Sequence, residues 1–176
     1  NFESVALYLA CVYSGVVAVT AAESFSAEQV AMRAKIGKVK YLFSSESVVR
    51  GKGRLKLYER LKEIDLPAVV QMRENDSLLK EGDMSWEDFL GEAGDFKPVS
   101  CAAEEMMTLL FSSGTTGEPK AIPWTHLTPI KAASDGFFHQ DIHANDVVAW
   151  PTSLGWMMGP WLIFASLMNN ASMALY

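Results

Sequence analysis

Leu109-Leu110-Phe111-Ser112-Ser113-Gly114-Thr115-Thr116-Gly117-Glu118-Pro119-Lys120 runs from an apolar strand into a loop with four hydroxyls, two glycines and a lysine. Glycine permits positive φ and close backbone approach, so successive N–H groups can converge on an anion. The hydroxyls of Ser112, Ser113, Thr115 and Thr116 add donors, and Lys120 adds a full positive charge at the far end. Hydrogen bonds to charged groups contribute about 1.5–3 kcal/mol each, so three or four of them with the lysine would hold a polyphosphate in a fixed pose. The spacing is not that of a Walker A loop, Gly-x-x-x-x-Gly-Lys-Ser/Thr. Gly114 and Gly117 are only three apart, Pro119 precedes Lys120, and no Ser or Thr follows it. The competing reading is a Gly/Thr-rich turn between a strand and a helix, with no ligand.

Outward from this loop, short β-branched apolar runs alternate with helical patterns, the signature of βαβ units and parallel sheets. Phe2 to Ser14 reads as a helix, Val16 to Thr20 as a strand buried on both faces. Ser26 and Gln29 have the spacing of a capping box at the start of the next helix. Tyr41-Leu42-Phe43 and Ala68 to Met72 read as strands, with Leu57, Tyr58, Leu61 and Ile64 at helical spacing between them. Beyond the middle of the chain the pattern predicts strands at Met106 to Phe111, Val147 to Trp150 and Ser172 to Tyr176. Helices are expected over Ala132 to Phe138 and Trp156 to Met168. The fold class is α/β, with doubly wound, mostly parallel sheets flanked by helices.

Three parts are expected: residues 1–73, an acidic surface connection over 74–103, and a loop-bearing part over 104–176. Glu74 to Asp95 carries eight acidic residues against Lys80 alone, the pattern of a solvated excursion, with one helical turn possible at Trp86 to Leu90. Arg50 to Glu63 is the reverse, with six basic residues against two acidic ones. Over all 176 residues the net charge is −6, which argues against a nucleic-acid partner. With 49% apolar and 20% charged residues the chain is too hydrophobic for disorder. Cys11 and Cys101 lie 90 positions apart with no Cys/His cluster, which excludes a disulfide scaffold or zinc ribbon. Val5 to Ala22 and Val147 to Tyr176 are uncharged, but Gly, Pro and Asn interrupt them and no basic flanks orient them, so no membrane span is expected.

Residues Ser112 to Lys120 resemble the phosphate-binding loop of the AMP-forming adenylate-forming superfamily, which includes acyl-CoA synthetases, luciferases and peptide-synthetase adenylation domains. Three further stretches narrow the resemblance to its acetyl-CoA-synthetase-like branch: Phe25 to Ala31 at a helix start, Val49-Arg50-Gly51-Lys52-Gly53-Arg54, and Leu154-Gly155-Trp156-Met157-Met158-Gly159. With Trp150-Pro151-Thr152, the chain is most similar to the plant peroxisomal acyl-activating enzymes. The resemblance implies part of the large N-terminal domain of an acyl-CoA synthetase, the C-terminal domain being absent. It implies MgATP, coenzyme A and a small-molecule carboxylic acid as ligands, a two-step reaction through an acyl-adenylate, and a peroxisomal address, with the cytoplasm as alternative. Ser112, Ser113, Gly114, Thr115, Thr116, Gly117 and Lys120 would grip the ATP phosphates, with Lys120 as the catalytic charge. Arg50, Lys52 and Arg54 would contact coenzyme A, and Trp156, Met157 and Met158 would wall the acyl pocket.

Two positions depart from the family's pattern: Ala121 stands where glycine is usual and Ser112 where threonine is common. The family's adenine- and ribose-binding segments and its adenylation lysine lie downstream, so the isolated chain is expected to be inactive. The different class to be weighed is a non-catalytic nucleotide-binding or scaffold module derived from a synthetase. His126, just after the loop, either approaches substrate or nucleotide or caps the following helix. His139 and His143 are read as surface histidines and not as a metal pair, for want of a third ligand. Without the resemblance, Trp156, Met157 and Met158 are core residues of an apolar run, and Arg50, Lys52 and Arg54 a solvated helix entry.

Overall fold

Asn1 opens the first helix by accepting the Ser4 N–H on its side-chain oxygen at 2.9 Å, and α1 runs Phe2–Tyr13. The structure, a computed structural model, describes residues 1–71, 79–92, 94–112 and 118–175. After α1 come β1 (Ala18–Val19), α2 (Ala27–Ile36), β2 (Leu42–Ser45), β3 (Ser47–Arg50), β4 (Gly53–Lys56), α3 (Leu57–Leu61) and β5 (Ala68–Gln71). The chain continues through β6 (Met84–Ser85), α4 (Trp86–Leu90), β7 (Met106–Ser112), β8 (Lys120–Thr125), α5 (Thr128–Gln140), β9 (Val147–Val148), α6 (Met158–Leu167) and β10 (Ser172–Met173). Two compact units result, one of Asn1–Glu23 with Lys97–Tyr176, the other of Ser24–Phe96.

In the first unit β7 is the central strand, parallel to β1 and antiparallel to β8. It is buried from Met107 to Phe111, and the polar side chain within it, Thr108, donates its hydroxyl to the Ala18 carbonyl at 2.7 Å. Val5 and Tyr8 of α1, Met107, Ala132 of α5, and Ile163 and Phe164 of α6 form one core cluster. Helix α6 is apolar on nearly every face and buried from Gly159 to Ser166 apart from Trp161, which is half-buried. It connects β9 to β10, which pair in parallel, so the three make a βαβ unit. Asn169 ties α6 to α5: its Nδ2 donates to the carbonyls of Ala165 and Ala133, each at 2.9 Å.

The second unit has a parallel sheet in the order β2-β5-β6 and an antiparallel hairpin, β3-β4. Ser26 caps α2 and the reciprocal bond from Gln29 completes the capping box that the sequence predicts. Val30, Leu42, Tyr58, Ile64, Ala68 and Val70 form its core. Both parallel sheets agree with the expected fold class.

Compact units divide at 23/24 and 96/97. Part of the acidic stretch is built into the second unit: β6 pairs with β5, and Ser85 caps α4 by accepting the Asp88 N–H at 3.0 Å. Asp83 accepts the Ala68 N–H at 2.8 Å and the Tyr58 hydroxyl at 2.7 Å. Those bonds hold residues 83–90 to the sheet, which a count of charges does not reveal. Arg50, Lys52 and Arg54, read without the resemblance as a solvated helix entry, fall on a hairpin over 47–56 whose two-residue loop starts at Gly51 with φ 61°. Both turn types of that length need positive φ there.

Candidate functional site

Strands β7 and β8 frame the hydroxyl-rich loop. Their register pairs Leu109 with Pro123, Leu110 with Ile122, Phe111 with Ala121 and Ser112 with Lys120. Residues directly opposite in an antiparallel ladder project to the same face. The Ser112 hydroxyl and the exposed Lys120 ammonium therefore stand side by side where the loop leaves the sheet. Ser113, Gly114, Thr115, Thr116 and Gly117 lie outside the described residues. The loop departs from the carboxyl end of β7, beside the carboxyl end of its parallel neighbour β1. In open α/β sheets that end of the strands is where ligands bind. Ala121 sits within the regular ladder and is exposed, so its β-carbon is accommodated at the loop exit.

Lys120, Ile122 and Trp124 follow the two-residue period of β8 and share one face. Trp124 reaches a pocket of about 500 Å³ that is also lined by Thr128, Trp150, Met157, Met158 and Trp161. Lys131, Asp135, His139 and Gln140 of α5 line the same pocket, and Lys131 and Asp135 form an ion pair. Of the three residues expected to wall an acyl pocket, Met157 and Met158 are in the lining. Trp156 is not, and is 48% exposed. Helix α6 starts only at Met158, so Trp156 precedes the helix the sequence predicts from it.

The two glycines of Leu154–Gly159 are dictated by contact. A β-carbon on Gly155 would lie 2.1 Å from the Ala22 nitrogen, and one on Gly159 would lie 2.4 Å from the Ser153 oxygen. The bend that brings Met157 and Met158 to the pocket therefore packs directly on backbone.

His126 is half-buried and its N–H donates to the Glu105 carbonyl at 3.1 Å. It does not cap α5, whose N-cap is Leu127; instead Thr128 Oγ1 accepts the Thr125 N–H at 3.1 Å. His139 lies 3.9 Å from Asp135, and His143 Nδ1 is 2.9 Å from the Asp141 carbonyl oxygen. Both rings are largely in solvent, and among the described residues no group of three or more His, Cys, Asp or Glu is placed to hold a metal ion.

The basic segment falls on the β3–β4 hairpin of the second unit. Arg50 ends β3, Lys52 is in the turn and Arg54 is on β4, all exposed. Alternation places Arg50 and Arg54 on opposite faces, and Arg54 shares its face with Lys56, which the sequence reading did not single out. Arg54 donates to Ser47 Oγ at 3.0 Å across the hairpin. A larger depression of about 590 Å³ near Ser26 and Arg60 is bordered by Glu28, Glu59 and Glu63, the wrong charge for a phosphate. Trp124 and Trp161 are the site residues the sequence reading missed. Trp124 follows Pro123, which hides β8, and Trp161 lies in a uniformly apolar run.

The chain belongs to the AMP-binding enzyme family, whose family model matches residues 1–176. It is 48% identical to hexanoyl-CoA synthase of Cannabis sativa and 46% identical to the probable peroxisomal acyl-activating enzyme 17 of Arabidopsis thaliana. Each alignment covers 100% of this chain and 26% of the relative, so the chain spans about a quarter of their length. Among solved structures, acetoacetyl-CoA synthetase from Streptomyces lividans superposes with a TM-score of 0.88 at 24% identity, over 99% of this chain and 28% of that one. That likeness establishes the fold. Among the described residues, no helix is long and apolar enough to cross a membrane.

Proposed function

We propose that the protein carrying this chain is an AMP-forming carboxylate–CoA ligase. The observation that carries the reading is the pairing of Ser112 with Lys120 at the mouth of a loop rich in hydroxyls and glycine. In the first step a carboxylate oxygen attacks the α-phosphorus of MgATP. The acyl–phosphate bond forms, the bond to the bridging α–β oxygen breaks, and pyrophosphate leaves. Negative charge then builds on the departing group, where preorganised donors and a lysine stabilise it most. In this reading Ser112, Ser113, Gly114, Thr115, Thr116, Gly117 and Lys120 hold the phosphates. The metal enters on the nucleotide, as part of the substrate.

In the second step the thiol of coenzyme A attacks the acyl carbon and AMP departs. Arg50, Lys52 and Arg54 are proposed to attract the anionic part of coenzyme A, with Lys56 on the face of Arg54. Met157 and Met158 are proposed to wall the acyl group, and their place in the pocket supports this. His126 follows the end of β8 opposite the loop, beside Glu105, and its bonding gives it no role at the phosphates. The relatives' names, hexanoyl-CoA synthase and peroxisomal acyl-activating enzyme, support a fatty acid as substrate and a peroxisomal location. The test is ATP–pyrophosphate exchange by the full-length protein. Exchange that depends on added carboxylic acid, with AMP released when coenzyme A is supplied, is expected; exchange independent of acid, or none, would overturn the reading.

A further inference from the structure

Trp161 lines the same pocket as Trp124. That indole belongs to the lining and also packs against two separate core clusters, one built on Val5, Tyr8 and Ile163, the other on Ile142, Ala165 and Ala171. Trp161 stands one helical turn beyond Met157 and Met158, on the same side of α6, and its backbone N–H donates to the Met157 carbonyl at 3.2 Å. Trp150 supports it from the pocket side, edge-on, with ring centroids 6.4 Å apart. The walls therefore differ in kind. Met157 is 58% exposed and has the unbranched, adaptable chain of methionine, while Trp161 is wedged between packed groups.

Resting on the ligase reading above, we propose that Trp161, backed by Trp150, is the length gauge of the acyl site and sets the longest acid that the site accepts. The pocket of about 500 Å³ holds on the order of 15 water-sized groups at roughly 30 Å³ each. It opens to solvent between Lys131, His139 and Met157, so that number is an upper bound. A two-carbon acid would leave most of the indole and thioether surface wet, and a long chain would have to displace Trp161 from both clusters. Lys131 and Asp135 neutralise each other at the rim, which leaves the indoles and thioethers as the contact surface.

The test compares the full-length enzyme with its Trp161→Ala, Trp161→Phe and Trp150→Ala variants, reading kcat/KM for straight-chain acids from acetate to dodecanoate by pyrophosphate release. A hydrophobic pocket discriminates a single methylene by about 10–200-fold. Trp161→Ala is expected to move the optimum to a longer acid and to raise the longer-to-original ratio at least about tenfold, with KM for ATP unchanged. Trp161→Phe is expected to keep the original optimum. Trp150 is 45% exposed, so its alanine variant remains decisive if Trp161→Ala does not fold, and it is expected to shift the same ratio in the same direction. Profiles of Trp161→Ala, or of Trp150→Ala in its place, that superimpose on the wild type after uniform scaling would overturn the gauge alone. Absence of acid-dependent exchange in the wild type would overturn the ligase reading, and the gauge with it.

Discussion

Gly155 lies against the main chain of Ala22, so close that a β-carbon on the glycine would stand 2.1 Å from the alanine nitrogen. The residues following β1 thereby dock on the bend that delivers Met157 and Met158. No side-chain rotation relieves a clash with backbone, so Gly155→Ala forces the two segments apart. Overpacking typically costs 1–3 kcal/mol and occasionally more; about 3 kcal/mol or above is expected here. The urea midpoint should fall with little change in slope. A midpoint within error of the wild type would show that the segments are not held in contact.

In the proposed reaction Lys120 and Ser112 make different contributions. Removing the ammonium with Lys120→Ala should slow ATP–pyrophosphate exchange in the full-length enzyme by about ten- to a thousandfold, up to about 4 kcal/mol of barrier. Ser112→Ala removes one neutral donor and should cost about tenfold or less. Equal effects of the two variants would contradict the assignment of the charge to Lys120.

What was legible in the sequence was whatever depended on local pattern. The capping box at Ser26 and Gln29, the buried strand through Leu110 and the apolar helix α6 all follow from neighbours in the chain. Strand β8 was not legible, because Pro123 lacks the N–H a ladder uses. It is tolerated because β8 has a partner on one side only among the described residues. The hairpin at 47–56 had a signal, the run Arg50-Gly51-Lys52-Gly53 following the β-branched pair Val48-Val49, which its positive charge obscured. The pocket was not legible, since Trp124, Trp150 and Trp161 come from three elements that only the tertiary fold brings together. The same holds for Asp83, whose two bonds reach residues distant in sequence.

Asp83 anchors the acidic stretch to the second unit. Asp83→Ala would leave the buried Ala68 N–H without its acceptor and take from Tyr58 the carboxylate it donates to. A buried group left unsatisfied costs about 1–3 kcal/mol. Tyr58→Phe would remove the bond to Asp83 and the one accepted from the Lys80 N–H, but would leave the Ala68 N–H satisfied. Asp83→Ala is therefore expected to be the more destabilising of the two in chemical denaturation, and the reverse order would show that Asp83 is not the anchor.

Tyr8 gives the first unit an alkaline limit. Burial pushes its phenol from the ordinary 10 up to about 12, so the folded protein keeps the proton after the unfolded chain has released it. The contribution is complete below pH 10 and is lost as the pH rises toward 12, about 2–3 kcal/mol in all. Tyr8→Phe should abolish that part of the alkaline loss. Stability curves of wild type and variant that run parallel from pH 9 to pH 11.5, at roughly constant separation, would contradict the buried phenol.

The central claim is that the chain between Ser112 and Lys120 closes on the phosphates of ATP. Backbone amide hydrogen exchange across this segment, in the full-length protein with and without MgATP, tests it most directly. Protection of the loop amides on adding MgATP, reduced in Lys120→Ala and absent with AMP, is the expected result. Unchanged exchange at saturating MgATP would contradict it.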